Sequence, residues 1–211
     1  LMLMEKEEEI RDALAESPIL GGIRAEAVEW MLSVVVCYSF SAQTAALAIN
    51  YLDRFLDSFR RNCHSEKPWT IHLAAVASLS LAAKVEETHV PLLLNLQVDS
   101  KYVFESKTIQ KMEMLILSTL QWKMNPVTPL SFLHYISSKI GFKGYLCRDF
   151  VRRCESLLLA VLADCRFMSC SCLPSSLATA TILFVLKSFD PSIAGEFHGQ
   201  LIGILGISQV S

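Results

Sequence analysis

Between Thr70 and Thr88 the chain reads TIHLAAVASLSLAAKVEET, and from Ile71 to Ala83 it holds no charged residue. Apolar side chains recur there at helical spacing on every side, interrupted only by His72, Ser78 and Ser80. A helix that is hydrophobic all round leaves no face for water, so this segment predicts a buried central helix. Five alanines and two serines let neighbouring helices approach closely, and Pro68 marks the start. The run stops at Lys84, and Glu86 and Glu87 follow, so the helix surfaces at one end in a cluster of charge.

Narrower stripes flank it. Residues 4–15 predict a short acidic helix, broken by Ser17–Pro18 and Gly21–Gly22. Ile23, Ala27, Trp30, Met31, Val34 and Tyr38 share one face of a helix from Ile23 to Tyr38. Ser41 is placed to cap the next helix, which runs to Arg60 with Ala48, Leu52, Phe55, Leu56 and Phe59 on its apolar side. A helical turn at Leu92–Leu96 and a helix from Tyr102 to Leu120 come next, then the connector WKMNPVTP. Thr128 and Pro129 open a helix over Leu130–Ile140, with further helices over Leu146–Ala163 and Pro174–Lys187. No strand alternation occurs, so the fold class is all-α. The segment LATATILFVLK (177–187) echoes LAAVASLSLAAK (73–84). The echo suggests two tandem five-helix units, each around its own buried helix. Residues 1–21 would be an N-terminal helix and linker, 22–125 the first unit, and 126–211 an incomplete second one.

Composition narrows the function. Apolar residues make up 52% and mean hydropathy is +0.39, which excludes disorder and leaves apolar surface for a partner. No run reaches the roughly 18 apolar residues of a membrane span. The opening LMLMEKEEEIRD lacks the cationic start of a signal peptide, and a start at Leu1 reads as trimmed. Seven scattered cysteines fit a reducing compartment. Cys165, Cys170 and Cys172 cluster without a second CxxC or a paired histidine, so no metal is expected. Residues 1–125 hold 12 Lys/Arg against 16 Asp/Glu and residues 126–211 hold 7 against 5, so nucleic acid is not an expected partner. No glycine-rich phosphate loop, HExxH or GxSxG is present, and the five histidines are not grouped with a nucleophile. The chain is therefore expected to be no enzyme and to need no cofactor.

Four charges sit where charge is costly. Arg24 lies beside the first apolar stripe, Asp53 interrupts NYLDRFL, Lys84 ends the central run, and Glu113 lies among Met112, Met114 and Leu115. One such residue would be a snorkelling side chain. Four together predict an internal ion pair plus an exposed recognition pair.

IRAEAVEWML, NYLDRFL, LAAKVEET and KMEMLILSTLQW, in this order and spacing, resemble the cyclin box. EKPW, VPLLL, KYVFE, QWKMNPVTPLSF and ADCRFM are similar more particularly to plant D-type cyclins. The resemblance runs from Gly22 to Pro191. It implies two five-helix boxes in tandem and a non-catalytic regulator that binds a cyclin-dependent kinase, holds its C helix (PSTAIRE-type) in the active position and drives the G1/S transition. On this resemblance Lys84 and Glu113 face the kinase, with Val85, Trp122 and Met124 as apolar contacts. Arg24 and Asp53 form the structural ion pair, with Leu73 and Ala82 also matching.

The same resemblance places a peptide-docking groove at Ile23, Glu26, Ala27, Trp30 and His72, for retinoblastoma-type substrates and kinase-inhibitor proteins. Glu26 puts a charge where a branched apolar residue is usual, which implies a shallower, more acidic pocket. The LxCxE motif of D-type cyclins does not occur in these residues. Nucleus and cytoplasm are the implied locations. The runner-up is a paired-box transcription factor contacting DNA, which a basic face would have to support; an all-helical enzyme such as a terpene synthase would need a DDxxD-type motif.

Overall fold

The computed structural model of the chain describes residues 18–62, 67–140, 145–164 and 173–189, and the expected helix over 4–15 and the Cys165–Cys172 cluster lie outside them. Seven helices and no strand occur among these residues: α1 (Pro18–Cys37), α2 (Ala42–Asn62), α3 (Pro68–Glu86), α4 (Ser106–Thr119), α5 (Pro129–Ile140), α6 (Tyr145–Ala163) and α7 (Pro174–Phe189). They fall into two compact units, Leu1–Pro126 with Leu162–Ser171, and Val127–Val161 with Cys172–Ser211.

The first unit is organised around α3. Every residue from Ile71 to Ala83 is buried, and α1, α2 and α4 all pack on this helix. Its alanines and serines explain how three neighbours fit, because small side chains let helix axes close up. Pro68 opens α3 without losing a hydrogen bond, since the first N–H groups of a helix have no internal partner anyway. Lys84 lies in its last turn, where the carbonyl end of the helix favours a cation.

Two boundaries differ from the sequence pattern. Helix α1 begins at Pro18 and runs through Gly21 and Gly22, where a break was expected. Each helical glycine costs about 1 kcal/mol against alanine. That cost is offset by the buried face that follows, Ala27, Val28, Met31, Val34 and Val35. Helix α4 begins at Ser106 rather than Tyr102. Gln97 accounts for the delay: its Oε1 accepts from the Phe104 N–H at 2.6 Å and its Nε2 donates to the Phe104 carbonyl at 3.0 Å. The Phe104 backbone is thereby held off the helix.

Local chemistry fixes the other ends. The Thr44 N–H donates to Ser41 Oγ at 3.1 Å, capping α2, and the Ser131 N–H donates to Thr128 Oγ1 at 3.3 Å, capping α5. In the second unit α5 packs on α7, which buries Ala178, Thr181, Ile182, Val185 and Leu186. Phe184 on the same helix is 63% exposed.

Candidate partner-binding site

The four costly charges form two ion pairs. Arg24 Nε and Nη2 donate to Asp53 Oδ1 and Oδ2 at 2.8 and 2.9 Å, the two-pronged geometry that a guanidinium and a carboxylate share. Its Nη1 and Nη2 also donate to the carbonyls of Ala163 (2.9 Å) and Leu162 (2.8 Å), at the end of α6. Arg24 is 1% exposed. Burial lifts the Asp53 carboxyl above its ordinary range, against the hydrogen bond and charge of Arg24, which draw it down. This pair is spent inside the fold.

The second pair faces outward on one side only. Lys84 Nζ donates to both Glu113 oxygens, at 2.6 and 2.8 Å. The Lys84 side chain is 44% exposed and that of Glu113 only 10%. The acidic half expected to be exposed is therefore nearly buried, because α4 packs against α3 and carries Glu113 inward with Ile109, Met112 and Ile116. An ammonium has three N–H bonds, so Lys84 keeps donor capacity toward solvent. Beside it Val85 is 45% exposed.

Glu87 fastens this corner. Its Oε1 accepts from the Ser41 N–H at 2.7 Å and from Thr44 Oγ1–H at 2.5 Å, tying the end of α3 to the start of α2. Burial pushes the Glu87 carboxyl up, but those donors outweigh it and hold it below the ordinary range. Nothing in the sequence period marks this contact; the signal was a carboxylate just past a helix end, matched to a Ser-x-x-Thr start elsewhere.

At the end of α4, Trp122 is 65% exposed and Met124 half-buried. The helix closes with the Trp122 N–H on the Leu117 carbonyl (2.9 Å) and the Gln121 N–H on the Ser118 carbonyl (3.1 Å), a Schellman closure. It requires a left-handed residue, and Gln121 (φ 53°) supplies it, with Trp122 (φ 59°) left-handed as well.

The groove residues also meet. Ile23, Glu26, Ala27 and His72 line one shallow cleft of about 10 Å³ with Pro68 and Tyr102, and the Trp30 ring packs on His72 with centroids 4.7 Å apart. The cleft has room for about one water. Glu26 is not a lone charge: Lys101 Nζ donates to its Oε1 at 3.0 Å, so the acidic pocket expected from the sequence is matched by the chain's own cation. Trp30 Nε1–H donates to the Val98 carbonyl (2.9 Å), and His72 Nε2 bonds Ser100 Oγ at 2.6 Å. Burial pushes the His72 imidazole below its ordinary pKa, with Glu26 opposing and Lys101 reinforcing the shift. Lys101, Ser100 and Tyr102 were missed in the sequence because loop residues that meet helices 28 to 75 positions away leave no periodic trace.

No described helix is long and apolar enough to cross a membrane, and no group of metal-ligating side chains occurs among the described residues. Family comparison adds to this geometry. The cyclin N-terminal domain model matches residues 3–125 and the cyclin C-terminal domain model residues 127–210. The chain is 48% identical to Cyclin-D3-2 of Arabidopsis thaliana, across 99% of the chain and 57% of that protein. It is 46% identical to Cyclin-D3-1 of the same plant, across 98% of the chain and 54% of that protein. It thus spans a little over half the length of these curated relatives. Among solved structures, a viral cyclin from herpesvirus saimiri shares the fold with a TM-score of 0.68 at 16% identity, over 81% of this chain and 71% of that one. With the two cyclin domain models together matching nearly the whole chain, the chain belongs to the cyclin family and is similar to its plant D-type members.

Proposed function

We propose that this chain is a regulatory subunit, not itself catalytic, that binds a cyclin-dependent kinase, holds it active and drives the G1/S transition. The observation that carries this reading is the Lys84–Glu113 pair, fixed on two packed helices with the ammonium turned toward solvent. A cation and a carboxylate held rigidly in this way can bond the backbone groups at the end of a partner helix. Charge-assisted bonds of that kind, once desolvated, are roughly twice as strong as neutral ones. Exposed Val85 and Trp122 supply apolar area that excludes water around them. The kinase responds by population shift: whichever C-helix position this surface binds better becomes the occupied one.

The cleft around His72, whose Glu26 is paired with Lys101, is the proposed docking place for retinoblastoma-type substrates or kinase-inhibitor proteins. Nucleus and cytoplasm are the proposed locations. No observation favours the DNA-contacting alternative, since net charge is −2. The test is activation: the purified chain added to a purified plant cyclin-dependent kinase should raise phosphorylation of a retinoblastoma-type substrate. Phosphorylation that stays at the level of the kinase alone, across a panel of such kinases, would overturn the reading.

A further inference from the structure

The turn from Gln121 to Met124 combines a costly backbone with an exposed aromatic. Two consecutive non-glycine residues are left-handed there, Gln121 at φ 53° and Trp122 at φ 59°. For a bulky residue that region is an outlier. Such conformations persist only where the surroundings over-determine them, and they cluster at functional sites. Trp122 gives little back to the core, because its side chain is 65% exposed.

Helix α2 supplies what over-determines the turn. Tyr51, fully buried, donates its hydroxyl to the Met124 carbonyl. One turn further along, Arg54 Nη1 donates to the Lys123 carbonyl at 3.1 Å. Two side chains on one helix face thus grip two successive carbonyls just after the left-handed pair. Beside the turn, Arg54, Asp57, Ser58, Gln121 and Lys123 line a polar cleft of about 240 Å³.

We infer that Tyr51 is a positioning residue: with Arg54 it locks the Gln121–Met124 turn in its left-handed form, and so presents Trp122 as a rigid anchor for the partner kinase. The inference deepens the kinase-binding reading and rests on it for the partner's identity. Pre-ordering matters because an exposed tryptophan on a loose turn would have to be immobilised on binding, which weakens association.

Tyr51→Phe tests this, since it removes one hydroxyl and no core volume. In the free chain, hydrogen exchange should accelerate at residues 121–124 and stay unchanged across Ile71–Ala83. Kinase affinity should fall about five- to tenfold, the worth of one hydrogen bond. Adding Gln121→Gly should restore most of that loss, because glycine takes the left-handed conformation without penalty. A core-packing role for Tyr51 would not be rescued by a glycine at position 121. Unchanged exchange at 121–124, or a loss of affinity that Gln121→Gly leaves intact, would overturn the assignment. Exchange is read without kinase, so failure of the native chain to bind any kinase would overturn the presented-anchor role and the partner reading together while leaving the lock itself decided.

Discussion

Two ion pairs of similar length, each joining helices of the first unit, end in different surroundings. Arg24–Asp53 is saturated: the guanidinium donates to both carboxylate oxygens and to two backbone carbonyls, and 1% of Arg24 meets solvent. Lys84–Glu113 is unsaturated: the ammonium engages a single carboxylate and keeps 44% of its side chain in water. Both sets of charges are equally anomalous in the sequence. On the proposed function, what separates structure from recognition is the number of partners left to find, and the exposure that decides it is visible only in the folded chain.

The largest effect is expected from Arg24→Ala. Removing one partner of a buried pair leaves an uncompensated charge, so stability should fall by roughly 3 kcal/mol or more, read from urea denaturation. Loss of kinase binding at temperatures where the variant stays folded would break the comparison. The Lys84–Glu113 pair should be lopsided. Lys84→Ala strands a nearly buried carboxylate and should destabilise by about 1–3 kcal/mol. Glu113→Ala leaves an ammonium that can reach water, and should cost less than Lys84→Ala in the same denaturation series.

The Glu26–Lys101 side offers a smaller and pH-dependent contrast. Burial lowers the folded pKa of His72, so the unfolded chain takes up the proton first as pH drops. Stability supplied by neutral His72 should be complete above about pH 6.5 and decline as pH falls from there toward its lowered folded value. His72→Gln should flatten that part of the pH–stability curve measured by thermal melting; a curve identical to the native one would show that His72 does not titrate differently on folding. The smallest effect is expected from Lys101→Ala, whose salt bridge is solvent-exposed on both sides. Its melting temperature should match the native chain's. Binding of a labelled peptide that carries an arginine beside an apolar anchor should nevertheless strengthen, because Glu26 is then released for the peptide's cation; unchanged polarisation would show that the pair does not guard the cleft.

How much of this was legible in the sequence follows from the kind of contact involved. The burial of α3 was legible because thirteen consecutive uncharged positions permit no other helix. Helix starts at Ser41, Pro68 and Thr128 were legible because caps are local chemistry. The run of α1 through Gly21 and Gly22 was not, since tertiary packing outweighed a local propensity of about 1 kcal/mol per glycine. The extended backbone before Ser106 depends on the Gln97 side chain reaching Phe104, and the grip of Tyr51 and Arg54 on carbonyls 123 and 124 crosses some seventy residues. Side-chain bonds to distant backbone leave no pattern, because every residue offers the same carbonyl. For the same reason the resemblance could point to Lys84 and Glu113 without showing that they grip each other.

The division between the two pairs is tested most directly by titrating one purified cyclin-dependent kinase with the native chain and with Glu113→Ala, by isothermal calorimetry. The variant should unfold within a few degrees of the native chain and bind at least about 30-fold more weakly, as expected when one partner of an interfacial charge pair is truncated. Equal affinities in the two titrations would contradict the claim that this pair is the recognition element.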